Sequence, residues 1–600
     1  MTTTPDRRTW TRWVALGAAA SAALAGVGLS GPAAQADPVA APEECPAAFP
    51  VAGLTRGDAV TGRTVTSGTA PEAFAGTVLG VLEDGITSDV DMVLVDLHSA
   101  AVDRAGIWSG MSGSPVYAAD GRLIGAVAYS LGTGPSTVAG VTPAEEMYRL
   151  FSPSRSATSA PRTVAPLTTS LQRSVARAGA ATGATAMRRM RVPVGLSGLG
   201  AERVRSLAPA LNSQGVHLAD TSAGAPSGEQ VPVTAGGNLA ASMAHGTLTA
   251  AAVGTATAVC DGEVVGFGHP MNFTGASTLS MHGATATHIQ DDSVFGGFKV
   301  ANLGAPVGTV DRDRLAGIRG RAGGLPTRYD VRTTATQGAD ARTALTHVTV
   351  GSLIPELAFS NTVAAQDRVL DRVGGGQAST RWTVRGTRKD GSPFTYTRSN
   401  RYADPADISA TTASALAMDL LALQDNPGEV VRITGVDAAT TVEDTYETYR
   451  VATVQYRRGT SWVALPSRGK GLRQGSTLRL RVTLTSREGE PRVVRTSVTV
   501  PTRTAGRTGV LVVRGGGSDL YGSEEFFEDE EEFFDEDGPA PSAATFPALL
   551  RSLTTAPAND EVVASLQFDA RGAARRARTA RADADRVVGG VKRFSVRGTR

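Results

Sequence analysis

From Cys45 to Gly140 the chain alternates between short apolar runs and Gly- or Asp-containing breaks. Thr77–Leu82 (TVLGVL) and Asp91–Leu97 (DMVLVDL) are rich in Val and Leu, and that pattern predicts buried strands. Pro115–Tyr117 and Arg122–Tyr129 flank Ala118-Ala119-Asp120-Gly121, and the Asp-Gly pair predicts a hairpin turn. Thr142 with Glu145 three residues on has the form of a capping box, and Pro143 suits a first helical position, so a helix is expected over Thr142–Phe151. Residues 152–166 form a polar, Pro-punctuated linker or long loop. Strand-like runs resume at Thr255–Val259, Glu263–Gly266 and Gly308–Val310. A second block, Thr346–Val350, Ser379–Val384, Glu447–Tyr456 and Thr477–Thr485, alternates as sandwich strands do, with one helical insertion at Ala410–Leu423. The expected fold class is mainly β.

Other features place this β-rich chain outside the cytoplasm. Arg7, Arg8 and Arg12 precede an apolar Trp13–Leu29, and Ala34-Gln35-Ala36 follows, which is the layout of a signal peptide with a mature start near Asp37. No later stretch reaches the ~18 consecutive apolar residues of a spanning helix. The chain has two cysteines, Cys45 and Cys260, and an oxidising compartment favours a disulfide between them. Six hundred residues exceed one hydrophobic core, so several domains are expected. A net charge of +2 selects no partner class and gives no reason to expect nucleic acid. The last ninety residues differ in kind. Glu524–Asp537 holds ten acidic residues and four Phe, and Arg571–Arg600 carries ten basic residues against two acidic ones. Such blocks are expected to be solvated and largely disordered, with contact to the cell envelope as a use for them. Phe546–Phe568 between them is apolar enough to fold back onto a domain.

Candidate chemistry centres on Gly110-Met111-Ser112-Gly113-Ser114-Pro115. A nucleophilic serine needs a tight turn that projects its Oγ while nearby N–H groups face one point, and flanking glycines permit that turn. The N–H groups of Gly110 and Ser112 are then the oxyanion-hole donors. A general base for Ser112 would be one of seven histidines: His98, His217, His245, His269, His282, His288 or His347. No metal site is expected, because His282, His288, Asp291 and Asp292 lack any HExxH or CxxC spacing. No Walker or dinucleotide fingerprint occurs, so no cofactor is expected.

The string GMSGSP, with Gly106-Ile107 before it and Gly121-Arg122-Leu123-Ile124-Gly125-Ala126-Val127 after it, resembles the stage IV sporulation protein B family of serine peptidases. Gly53-Leu54-Thr55, Val78–Leu82 and Ala139-Gly140-Val141-Thr142-Pro143 extend the likeness, which covers about residues 45–330 with a short extension near 546–568. The resemblance implies a trypsin-like double β-barrel and an acyl-enzyme mechanism. It implies His269, in Gly266-Phe267-Gly268-His269-Pro270, as the base, with His245 as second choice. The family's orienting aspartate aligns near Leu97 and His98, so Asp96 is assigned that role, with Asp103, Asp261, Asp291 and Asp292, a Ser–His dyad, or a third member of another type as alternatives. One departure is chain order: Ser112 precedes His269, whereas the family has the histidine first, so either a rearranged or permuted barrel preserves the geometry or the two motifs do not meet. No PDZ segment precedes the peptidase region.

The expected organisation is a signal peptide at 1–36, a peptidase domain at 45–330, a β-sandwich-like domain at 331–510, and a charged, partly disordered tail at 511–600. The expected function is a secreted serine endopeptidase acting on a protein or peptide substrate outside the cytoplasm. The alternative is a cell-envelope binding or structural protein that keeps the peptidase fold without turnover.

Overall fold

The computed structural model describes residues 45–132, 134–152, 160–179, 184–190, 194–213, 223–224, 228–291, 297–486, 489–518, 545–568 and 578–600. The signal-like segment, the acidic run, His217, Asp292, residues 153–159 of the linker and residues 571–577 lie outside them.

The first six strands are β1 (Ala59–Thr64), β2 (Glu72–Thr87), β3 (Val90–His98), β4 (Pro115–Ala118), β5 (Leu123–Ser130) and β6 (Val138–Pro143). They pair in the order β4-β1-β2-β3-β6-β5, and β4 pairs back to β5, which closes a six-stranded barrel. Val60, Val78, Val93, Val95, Val116, Ile124, Val127 and Val141 fill it, together with Trp108 and Met111. β-Branched side chains suit this role because their stiff χ1 fits a pleated, packed surface. The Asp-Gly turn closes the β4–β5 hairpin, where Gly121 takes φ 84° and its N–H donates to Ala118 O at 2.9 Å.

A second ring follows. Asn238–Gly246 pairs with Gly275–Gln290, which pairs with Phe298–Arg314, then Gly317–Ala322, Glu263–Gly266 and Thr249–Cys260, and the last pairs back to the first. Small side chains make up one of its clusters: Ala240, Ala251, Ala284 and Ala301 pack with Val253 and Leu303. The two barrels are the double-barrel arrangement expected for residues 45–330.

The sheet does not stop at residue 330. Asp340–Val348 joins Asn238–Gly246 through Ala244↔Val348, His245↔His347 and Gly246↔Thr346. Tyr329–Gln337, Arg432–Glu443, Gly376–Thr387 and Pro393–Asp404 then extend it. Helices Ile354–Leu370 and Ile408–Gln424 pack on this extension. The sandwich begins later, at Tyr449, and is built from two five-stranded sheets that share one core including Leu480, Val482, Leu511, Val513, Val562 and Leu566. The C-terminal region belongs to it: Glu561–Phe568, Arg578–Asp583 and Val591–Thr599 are strands. The expectation of a disordered basic block is corrected for residues 578–600, where Val591–Thr599 pairs along Thr508–Gly515. Val596 and Phe594 turn into the core while arginines face out, a period-2 pattern hidden by the charge.

The expected helix is shorter than Thr142–Phe151, spanning Ala144–Tyr148 with Pro143 as N-cap and no side-chain cap. Thr142 is unavailable as a cap because its Oγ1 donates to Gly268 O in the second barrel at 2.6 Å.

Cys45 and Cys260 are joined in a disulfide, with Cα atoms 5.3 Å apart and a sequence separation of 215. The segment after Cys45 is held to β5, with Leu123 N donating to Ala47 O and Phe49 N to Leu123 O. The bridge therefore clasps the first barrel to the end of Thr249–Cys260. Closing so long a loop in the unfolded chain is worth about 5 kcal/mol. A Cys45→Ser, Cys260→Ser double variant should show a clear fall in denaturation midpoint; an unchanged midpoint would contradict this role for the clasp.

Candidate active site

Ser112 lies in the loop between helix Ala100–Ala105 and β4. Ser99 caps that helix with a hydrogen bond from Val102 N, and Gly106, at φ 70°, ends it. Gly110 and Gly113 have φ of 96° and 94°, which only glycine adopts without strain. Two consecutive turns bracket the serine, Met111 N to Trp108 O and Ser114 N to Met111 O, each 3.0 Å. Ser114 Oγ lies 2.6 Å from Met111 O and 2.9 Å from Thr64 Oγ1, which pins the turn to β1. Neither Gly110 N nor Ser112 N donates to a backbone carbonyl among the described residues, so both remain available as oxyanion donors.

The loop is docked on the second barrel by its carbonyls. Thr255 N donates to Ser112 O at 2.9 Å, Thr255 Oγ1 to Gly110 O at 3.1 Å and Thr257 Oγ1 to Gly113 O at 2.7 Å. The approach is so close that a Cβ on Gly113 would lie 1.9 Å from Thr255 O and 2.5 Å from Phe267 N. The chain that follows carries His269. Phe267 and Gly268, at φ 69° and 68°, turn it sharply, and Phe267 N donates to Thr255 O at 3.2 Å. A non-glycine residue in that region costs on the order of 1 kcal/mol, so the turn is imposed by its surroundings. Gly268 lies against Ala126 and Ala128 of β5, and Thr142 holds its carbonyl. Ser112 from the first barrel and His269 from the second are thus carried to one inter-barrel junction, although their order along the chain is reversed.

His269 is fully buried. Its Nδ1 lies 2.9 Å from Pro270 O. A carbonyl only accepts, so Nδ1 carries the proton and Nε2 presents a lone pair. Nε2 is buried without a partner. Burial, opposed by the Pro270 carbonyl and aided by Arg189, lowers its pKa to about 4, so the ring is neutral at pH 7. This is the tautomer a general base requires, and the Pro270 carbonyl occupies the orienting position that a triad gives to a carboxylate. An unpartnered buried acceptor costs ~1–3 kcal/mol, and a hydroxyl donor is what this one lacks. Ser112, 1% exposed, does not supply that hydrogen bond in this structure.

Asp96 is not brought to His269. Its Oδ1 accepts from Thr137 Oγ1 at 2.6 Å, and its Oδ2 lies 3.3 Å from His98 Nε2. His98 in turn places Nδ1 2.8 Å from Asp103. Asp96 is therefore not hydrogen-bonded to His269, whose Nδ1 faces the Pro270 carbonyl instead. Asp261 sits in the hairpin after Cys260 at φ 49°, and exposed Asp291 pairs with Arg104 at 3.8 Å. His245 belongs to another cluster, its ring 5.4 Å from His282 and 5.2 Å from His347. His282 Nε2 lies 2.8 Å from Ser242 Oγ and its Nδ1 2.8 Å from Gly304 O. Among the described residues, no group of three or more His, Cys, Asp or Glu is arranged to hold a metal ion.

Sequence reasoning passed over Thr255, Thr257 and Lys299. The threonines stand at alternate positions in an apolar run, and Lys299 interrupts another, a pattern that marks polar groups held inside a sheet. No protein-family model, curated protein or solved structure matches the chain.

Proposed function

We propose that this protein is a serine endopeptidase, resembling the stage IV sporulation protein B type, that cleaves protein or peptide substrates outside the cytoplasm. The observation that carries the reading is His269, whose free, buried Nε2 and carbonyl-held Nδ1 stand at the junction to which the Ser112 loop is hydrogen-bonded. In the reaction, Ser112 Oγ attacks the scissile carbonyl and passes its proton to His269 Nε2. The N–H groups of Gly110 and Ser112 hold the oxyanion, each donor worth ~3–4 kcal/mol. His269 returns the proton to the leaving amine, and water then hydrolyses the ester with the same base. Export is supported by the signal-like N-terminal pattern and by the disulfide.

A second reading, a binding protein of the cell envelope that retains the fold, draws on the 1% exposure of Ser112 and the missing Ser112–His269 bond. Under the peptidase reading the loop opens to admit substrate and the bond forms in that complex, since catalytic hydrogen bonds often tighten only then. A peptide-library digest separates the two. The peptidase yields cleavage products that disappear with Ser112→Ala; an absence of products from wild type favours the binding protein.

A further inference from the structure

The nucleophile loop is also zipped to the start of Phe298–Arg314. Ser109 N donates to Gly297 O at 2.8 Å, and Lys299 N donates to Ser109 O at 2.9 Å. The Lys299 side chain then runs past Gly110, where a Cβ would lie 2.8 Å from Lys299 Cβ and 3.7 Å from its Cδ. Gly110 is thus glycine for a second reason: it leaves room for this lysine. The side chain ends with Nζ 2.9 Å from Asn238 Oδ1. Asn238 is held in that orientation because its Nδ2 donates to Ala284 O at 2.8 Å and Gly68 O at 3.2 Å. Lys299 is 4% exposed, and among the described residues its side-chain partner is a neutral amide with no carboxylate paired to it.

A lysine in such a place is expensive as a structural element. A buried ammonium without a counter-charge is disfavoured by several kcal/mol, and an apolar residue of similar length would pack there more favourably. The missing counter-charge has a natural source if the loop does acyl transfer, because a negative charge then develops at the Gly110 and Ser112 N–H groups. An interaction that is uncompensated in the ground state and compensated in the transition state is what accelerates a reaction.

Resting on the peptidase reading, we propose that Lys299 is a positioning residue for that reaction: it holds the Gly110 side of the oxyanion hole and supplies a buried positive charge that stabilises the oxyanion through the loop. The pH dependence follows. Burial alone lowers the Lys299 pKa to about 7, with no charged neighbour contributing. His269 must be neutral and Lys299 protonated, so the acylation rate rises as pH climbs through about 4 and falls as it passes about 7.

The test is the rate of Ser112 labelling by a fluorophosphonate from pH 6 to 9, above the range in which the buried histidines destabilise the fold, on the full chain and on Lys299→Met and Lys299→Arg. Wild type should show the alkaline fall near pH 7. Lys299→Met should label ~100-fold more slowly with no fall above pH 7, by analogy with loss of an oxyanion donor. Lys299→Arg stays charged throughout, so it should recover most of the rate and also lose the alkaline fall. Thermal melts identify any variant that fails to fold; should Met fail, the Arg profile carries the test. An alkaline fall near pH 7 that persists in Lys299→Arg, or a Lys299→Met rate equal to wild type, overturns the proposal. Wild type that labels at no pH refutes the peptidase reading, and this proposal with it; labelling that ignores Lys299 refutes this proposal alone.

Discussion

If Ser112 and His269 act as proposed, replacing His269 by Ala should lower the rate of Ser112 acylation by ~10⁶-fold, the loss seen when the base of a serine–histidine pair is removed. The size of the effect follows from the chemistry at the junction. Serine is a weak nucleophile at neutral pH, and among the described residues Nε2 of this ring is the buried acceptor left without a donor on the segment that follows the Ser112 docking strand. The protonation state requires no carboxylate, because Pro270 O fixes the proton on Nδ1 and burial keeps the ring neutral above about pH 4. Asp96→Asn provides the contrast. Were Asp96 the orienting residue, its amide would cost ~10⁴-fold by favouring the wrong tautomer. Bound instead to Thr137 and His98, it should change the rate by less than ~10-fold. A large loss in Asp96→Asn would return that residue to the site and displace Pro270 from its role.

Mild acid should destabilise the fold steeply. His245, His269 and His282 all have pKa values lowered to about 4, and burial is the leading cause in each. In the unfolded chain they titrate near 6.5. Between those values the unfolded state binds protons that the folded state refuses, so stability falls as pH drops from about 6.5 towards 4 and stays lost below it. Each shift corresponds to about 3 kcal/mol, a large share of the stability of many domains, and because His282 itself contributes to the lowering at His245 the shifts do not simply add. His98 works the other way. Its pKa is raised chiefly by the hydrogen bond to Asp103, so its contribution is present in acid and lost as pH rises; its exposure keeps that contribution small. The first opening is expected where His245 and His347 stand opposite each other, with Arg328 and Asp330 also facing His245. That three-residue seam is where Asp340–Val348 joins the second barrel. Urea midpoints at pH 7.5 and pH 4.5 should differ strongly, and His245→Gln should reduce the difference. Equal midpoints would contradict the buried, neutral state of these rings.

Much of the barrel pair was legible in the sequence because its strands are short, Val- and Leu-rich and punctuated by glycine. Thr77–Leu82 and Asp91–Leu97 are the middles of β2 and β3, and Glu263–Gly266 and Thr477–Thr485 are strands with the predicted ends. Helix Ile354–Leu370 was missed because it is buried nearly all round, Ser360, Asn361, Thr362 and Gln366 included, so no single apolar stripe marks it. The continuation of the sheet past residue 330 was not legible for a related reason. Strand pairing across His245↔His347 is a long-range choice that local alternation cannot express. The Ser112 motif was visible through glycine punctuation, whereas His269 was singled out only by the family resemblance, since a Gly-flanked histidine alone marks no base. The group that orients His269 was not visible, because a backbone carbonyl has no residue type to announce it.

The central claim, that Ser112 is an activated nucleophile with His269 as its base, is tested most directly by fluorophosphonate labelling followed by mass-spectrometric mapping of the Ala105–Arg122 peptide. The account predicts a single adduct on Ser112 in wild type, with none on Ser109 or Ser114, and no adduct within the same time in His269→Ala. An adduct on another serine, or equal labelling of wild type and His269→Ala, would contradict it.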